Sequence, residues 1–137
     1  AKTANPAIIV ITGGEPLLHN LDPLTEELRD LGIPLHLETS GAHLFSGKFH
    51  WVTFSPKKFK PPHFSVYDHV QELKVVVAND SDLKWAEEQA AKVPPETVKY
   101  LQPEWNTDTS QELILQYVLH HPEWRISLQT HKFLKVR

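Results

Sequence analysis

Short apolar runs alternate with amphipathic stretches along the chain, the pattern of βα units feeding a parallel sheet. The first run, Ile8–Thr12, is apolar up to its last residue and reads as a strand covered on both faces. Leu17, Leu18, Leu21, Leu24, Leu28 and Leu31 then recur at spacings that form a one-faced helical stripe. Asp22-Pro23 offers a cap and a first-turn proline as a later start for this helix, and Gly32 and Pro34 end it. Leu35–Thr39 is the second strand, closing on Ser40-Gly41, and Trp51–Phe54 the third, closing on Ser55-Pro56-Lys57-Lys58. Phe59–Ser65, rich in proline and lysine, is expected to be an exposed irregular loop. Glu72–Val77 is the fourth strand. Asp80 or Ser81 caps a helix to about Lys92, stopped by Pro94-Pro95. Val98–Leu101 is the fifth strand, leading to Gln102-Pro103-Glu104-Trp105. Ser110 opens a helix through His121 with Ile114, Tyr117, Val118 and His121 on one face, and Arg125–Leu128 is the last strand.

Six such strands predict an α/β fold over residues 1–137, an open or partial β/α barrel of about six mostly parallel strands. Folds of this kind bind ligands outside the carboxyl ends of their strands. Thr12, Glu15, Glu38, Ser40, Ser55, Lys57, Gln102, Gln129 and His131 gather at those ends.

A chain of 137 residues suits one domain, which would bury roughly 68% of its unfolded surface. The net charge of −3 gives no strong field for nucleic acid or an anionic membrane. The longest apolar runs, Ala7–Ile11 and Val75–Ala78, are too short to span a bilayer. No charged-then-apolar leader opens the chain, and a cytoplasmic setting is expected. With no cysteine there is neither a disulfide framework nor a thiolate metal site. His120-His121 are adjacent on a helix and cannot face one ion together, so no histidine metal site is expected. Ala1–Pro6 lead almost at once into an apolar strand that needs neighbours, so the chain is expected to be a fragment or to use that strand at an edge.

At the end of the first strand stands Thr12-Gly13-Gly14-Glu15-Pro16. Two glycines there leave bare backbone where a ligand can approach, and Pro16 suits a first helical position. The glycyl-glycyl-glutamyl-prolyl turn resembles the S-adenosylmethionine-binding motif of radical enzymes. Taken with LETSG at 37–41, TFSPK at 53–57, ELKVVV at 72–77, LQPEW at 101–105 and RISLQTHKFLKVR at 125–137, the whole chain resembles the 7-carboxy-7-deazaguanine synthase family of queuosine and deazapurine biosynthesis. The fold implied is a radical S-adenosylmethionine barrel whose first strand and cysteine loop are missing here. In that family a 4Fe-4S cluster, held by three cysteines, cleaves S-adenosylmethionine, and the deoxyadenosyl radical removes a hydrogen from 6-carboxy-5,6,7,8-tetrahydropterin. Ring contraction with loss of ammonia follows, and the reaction falls in the carbon–nitrogen lyase class.

By that resemblance Gly13, Gly14 and Glu15 meet the methionine end of the cofactor, and Ser55, Pro56 and Lys57 form its second segment. Strand alternation puts Glu38 on the polar side, placed either to face the cofactor or to form a strand-end salt bridge. Gln102, ending a strand beside a proline, suits either an amide contact to the adenine edge or a bond to backbone. Thr12, His131 and the terminal carboxylate of Arg137 match substrate contacts. Taken alone, the residues also allow an ordinary glycine turn, a solvated lysine and a strand-end salt bridge at these places. The resemblance further implies Mg²⁺, an electron donor such as flavodoxin, and a homodimer. The chain by itself is expected to be inactive for lack of the cluster. Two other readings stay open: a glycyl-radical or ribonucleotide-reductase activating enzyme, which shares the glycine turn, and a non-catalytic S-adenosylmethionine- or pterin-binding domain.

Overall fold

A computed structural model describes residues 6–105, 107 and 109–129. Six strands, β1 (Ile9–Ile11), β2 (Leu35–Thr39), β3 (Trp51–Phe54), β4 (Glu72–Val77), β5 (Val98–Pro103) and β6 (Trp124–Ile126), form one sheet in the order of the chain. All five neighbouring pairs are parallel. The helices are α1 (Asp22–Arg29), α2 (Asp80–Ala90) and α3 (Thr109–His120). Parallel strands in sequential order, joined by crossovers of one hand, place their connections on one face of the sheet. The sheet is therefore wound in one direction only, as in a partial open barrel.

Partners in a parallel ladder point to the same side, so the register sorts the two faces. Leu35, Leu37, Val52, Phe54, Leu73, Val75, Val77, Leu101 and Trp124 are buried on one face. Phe54, Leu73, Val75, Val77, Leu101 and Trp124 join Leu83, Ala86 and Ile114 in a core beneath α2 and α3, while Leu37 and Val52 pack with Leu17 and Leu21 in a second cluster. The opposite face carries Glu38, Thr53 and Glu72 in one register row and Lys74, Tyr100 and Arg125 in another. A sheet apolar toward its helices and polar toward its hollow is what a ligand-holding barrel requires.

Single side chains fasten the outer layer. The Glu87 carboxylate on α2 accepts from Tyr117 Oη on α3 at 2.6 Å and from Trp124 Nε1 on β6 at 2.6 Å. Burial first, and then this carboxylate, push the Tyr117 hydroxyl well above the usual tyrosine range. At the start of α2 the Asn79 side chain accepts from the Asp82 amide at 3.2 Å, while Asp82 accepts from the Asn79 amide at 3.3 Å. This reciprocal cap starts the helix after Asn79, one residue earlier than a cap at Asp80 would.

Other departures from the sequence reading have physical causes. β1 is not covered on both faces: Val10 is 43% exposed, because the helices cover one side of the sheet only. The leucine stripe is broken. Pro16–Leu18 forms a separate 3₁₀ turn with Pro16 in its first position, and α1 begins at Asp22. Leu17 and Leu21 are buried, whereas Leu18 and Leu24 face solvent. Phe64–His69, partly assigned to the loop, is a 3₁₀ helix that buries Val66. β5 runs on to Pro103, a position at a strand end where the missing N–H is tolerated. No described helix is long and apolar enough to cross a membrane.

Candidate functional site

The turn after β1 is held from its neighbour. The Glu15 carboxylate accepts from Thr39 Oγ1 at 2.5 Å, from the Ser40 amide at 2.8 Å, from the Ser40 hydroxyl, and from the Leu17 amide at 3.2 Å. Both of its oxygens are engaged by the chain's own donors, three of them at the carboxyl end of β2. Partial burial pushes this carboxyl up, but the Ser40 and Thr39 hydroxyls and the Ser40 and Leu17 amides outweigh it and hold it below its ordinary value. Glu15 thus acts as a positioning residue for the glycines before it. Gly13 has φ +103°, a region that side chains rarely adopt, and nothing lies within 4 Å of where a Cβ on Gly13 or Gly14 would stand. The turn offers open backbone above the strand ends.

Thr12, just past β1, and Glu38, near the end of β2, lie on the concave side, and Thr12 Oγ1 donates to Glu38 Oε2 at 3.2 Å. Gly41 follows at φ +70°, and a Cβ there would come within 2.6 Å of the Phe54 ring. Only glycine lets the end of β2 pass so close to β3. The Ser55 amide donates to the Thr39 carbonyl at 2.8 Å, which extends the β2–β3 pairing to the Ser55-Pro56-Lys57 segment. Pro56 is buried, and Lys57 is half-buried. Gln102, 8% exposed, lies opposite Val76 on the same concave side. The structure thus brings Thr12, Gly13, Gly14, Glu15, Glu38, Ser55, Lys57 and Gln102 to the carboxyl edge of one sheet. His131 and Arg137 lie outside the described residues.

The three lysines after β3 differ sharply. Lys58 Nζ meets Asp82 at 2.5 Å and Ser81 Oγ at 3.0 Å, and Lys60 Nζ lies 3.1 Å from His43 Nε2. Lys57 makes no such contact among the described residues. Burial first, and then the Lys74 ammonium, lower its pKa from the ordinary lysine value. Lys74 is a residue the sequence reading passed over, although the alternation Glu72, Lys74, Val76 within β4 marks it as facing away from the core.

The described residues contain no group of three or more His, Cys, Asp or Glu able to hold a metal ion. Cysteine thiolates are the usual ligands of a 4Fe-4S cluster, and the chain contains none, so its donor set does not fit that group. A cleft of about 530 Å³ lies at the other end of the strands, between α1 and residues 48–50. Its lining, which includes Glu26, Arg29, Lys48 and His50, contains none of the residues expected at the site.

A scan against protein-family models finds no match. Among curated proteins, the 7-carboxy-7-deazaguanine synthase of Synechocystis is 52% identical over all of this chain and 66% of its own length. The protein of the same name from Prochlorococcus marinus is 40% identical over 99% of this chain and 71% of its own length. That from Flavobacterium psychrophilum is 44% identical over 93% and 61%. Thus the chain spans about two thirds of the length of the curated relatives it matches. Among solved structures, QueE from Escherichia coli superposes with a TM-score of 0.83 at 30% identity, covering 93% of this chain and 59% of that one.

Proposed function

The chain belongs to the 7-carboxy-7-deazaguanine synthase family, and on that premise we propose that it is a binding portion of such an enzyme. It holds S-adenosylmethionine and 6-carboxytetrahydropterin at the carboxyl edge of its sheet but does not turn them over. The observation that carries the proposal is the open Gly13-Gly14 backbone, anchored by Glu15 beside Ser55, Lys57 and Gln102.

In this reading the glycine backbone receives the methionine end, with Glu38 beside it. Ser55 and Lys57, stiffened by Pro56, meet ribose and carboxylate groups, and Gln102 meets the adenine edge. Thr12 contacts the pterin, as does His131 by resemblance. S-adenosylmethionine supplies the adenosyl group on which this family's hydrogen abstraction depends. The chain's contribution is to bind both molecules side by side and exclude water. The family's cluster finds no thiolate ligand in this chain.

Titration calorimetry of the full chain is expected to show weak, millimolar binding of S-adenosylmethionine. Anaerobic treatment with iron and sulfide is expected to leave no thiolate-to-iron charge-transfer band. A stable, stoichiometric cluster would overturn the proposal of an inactive form, and absence of binding for both small molecules would overturn the site.

We also propose a homodimer formed along β1. The Ile9 amide donates to the Pro34 carbonyl at 2.9 Å, and strand alternation turns the Val10 amide to the side of β1 where no strand pairs among the described residues. The strand carries no charge to blunt that edge. Light scattering at tens of micromolar is expected to give a dimer or larger species, and Val10→Lys a monomer. A wild-type monomer whose Ile9–Ile11 amides exchange rapidly with deuterium would sink the idea.

A further inference from the structure

We infer that Lys74, together with Lys57, forms a two-cation seat for a ligand carboxylate on the concave face of the sheet. The inference deepens the proposed function and rests on it.

Two geometric facts carry it. The β3–β4 ladder pairs Thr53 with Glu72 and Phe54 with Leu73, so one residue further on Ser55 comes level with Lys74. On its other side Lys74 pairs with Tyr100, and Tyr100 with Arg125. Lys74 therefore sits in the row that leads directly into Ser55-Pro56-Lys57, with a phenol on its far flank. The second fact concerns charge. Among the described residues the ion pairs are Arg29–Asp30 and Lys58–Asp82, and neither involves Lys57 or Lys74. Glu72, the nearest acid along β4, accepts instead from Trp51 Nε1 at 3.3 Å. Glu38, on β2 of the same face, accepts from Thr12.

Two partly buried lysines side by side, with no acidic partner among the described residues, are unfavourable in a folded protein unless something anionic joins them. The Lys74 charge is felt at Lys57, whose pKa is lowered first by burial and then by Lys74. Neighbouring lysines show the alternative, since Lys58 has its aspartate and Lys60 its histidine. A carboxylate suits the seat better than a phosphate, because each proposed ligand carries one. The methionyl end of S-adenosylmethionine and the C6 group of 6-carboxytetrahydropterin share that chemistry.

Calorimetry on the full chain separates the two sources, using each molecule beside its carboxamide. One acid is expected to bind wild type about tenfold more tightly than its amide. Lys74→Met should remove that preference while leaving the amide's affinity unchanged, and Lys74→Arg should restore most of it. The molecule whose affinity moves identifies the occupant. If Lys74→Met binds both acids like wild type, the inference fails and the proposed function stands. If wild type binds neither molecule, both fail together. Equal affinity of wild type for each acid and its amide also overturns the seat, a result that does not depend on any variant folding.

Discussion

Replacing Glu15 with alanine is expected to destabilise the chain by about 2–3 kcal/mol. Hydrogen bonds to a charged group contribute about 1.5–3 kcal/mol each when well shielded, and this carboxylate accepts four. Partial exposure reduces each contribution, while the donors left behind at Thr39 and Ser40 must find water instead. Glu15→Gln should cost about half as much, because the amide nitrogen would face donors on one side. The effect is also pH-dependent, with a definite sign. The folded carboxyl lies below its ordinary value of 4.5, so its contribution is complete above that pH. It is lost as the pH falls below 4.5 through the folded value. Urea unfolding of wild type and Glu15→Gln should therefore differ at neutral pH and converge in acid. Curves that stay equally far apart at both pH values would mean the carboxylate's charge is not what holds the turn.

How far the fold was legible depends on what bounds each element. β2, β3 and β4 match their sequence limits because each ends on residues that cannot continue a strand: Ser40-Gly41, Ser55-Pro56 and the Asn79 cap. β1 was legible as a strand but not as a half-exposed one. Hydrophobicity cannot tell a residue facing a core from one facing a ligand hollow, and Val10 belongs to the second kind. The broken leucine stripe had a similar origin, since spacing alone joins Leu17 and Leu18 to a helix that starts only after Leu21. At the site, the glycine turn and the Ser55-Pro56-Lys57 segment were visible as motifs. The engagement of Glu15 with Thr39 and Ser40 was not, because it depends on β1 and β2 being neighbours. Lys74 escaped for the same reason: its partners in the row, Ser55 and Tyr100, come from other strands.

A different kind of effect is expected at Gly14, and it concerns the ligand rather than the fold. Glycines at a turn invite two explanations, a backbone that only glycine can adopt or a surface that must stay bare. Gly13 and Gly14 separate them. At φ +103° Gly13 is conformationally constrained, so Gly13→Ala should cost about 1–3 kcal/mol of stability whatever it does to binding. Gly14 is not in that region, and no protein atom lies within 4 Å of a Cβ built there. Gly14→Val should therefore unfold within about 0.5 kcal/mol of wild type, as surface substitutions do. Its two methyl groups would nevertheless stand where a cofactor must approach the backbone. Calorimetry with S-adenosylmethionine should show binding at least about tenfold weaker in Gly14→Val than in wild type, a loss of roughly 1.4 kcal/mol or more. A variant of unchanged stability with a large loss of affinity places the methionine end against Gly14. Equal heats for the two proteins would place it elsewhere, and the turn would then be a structural corner held by Glu15.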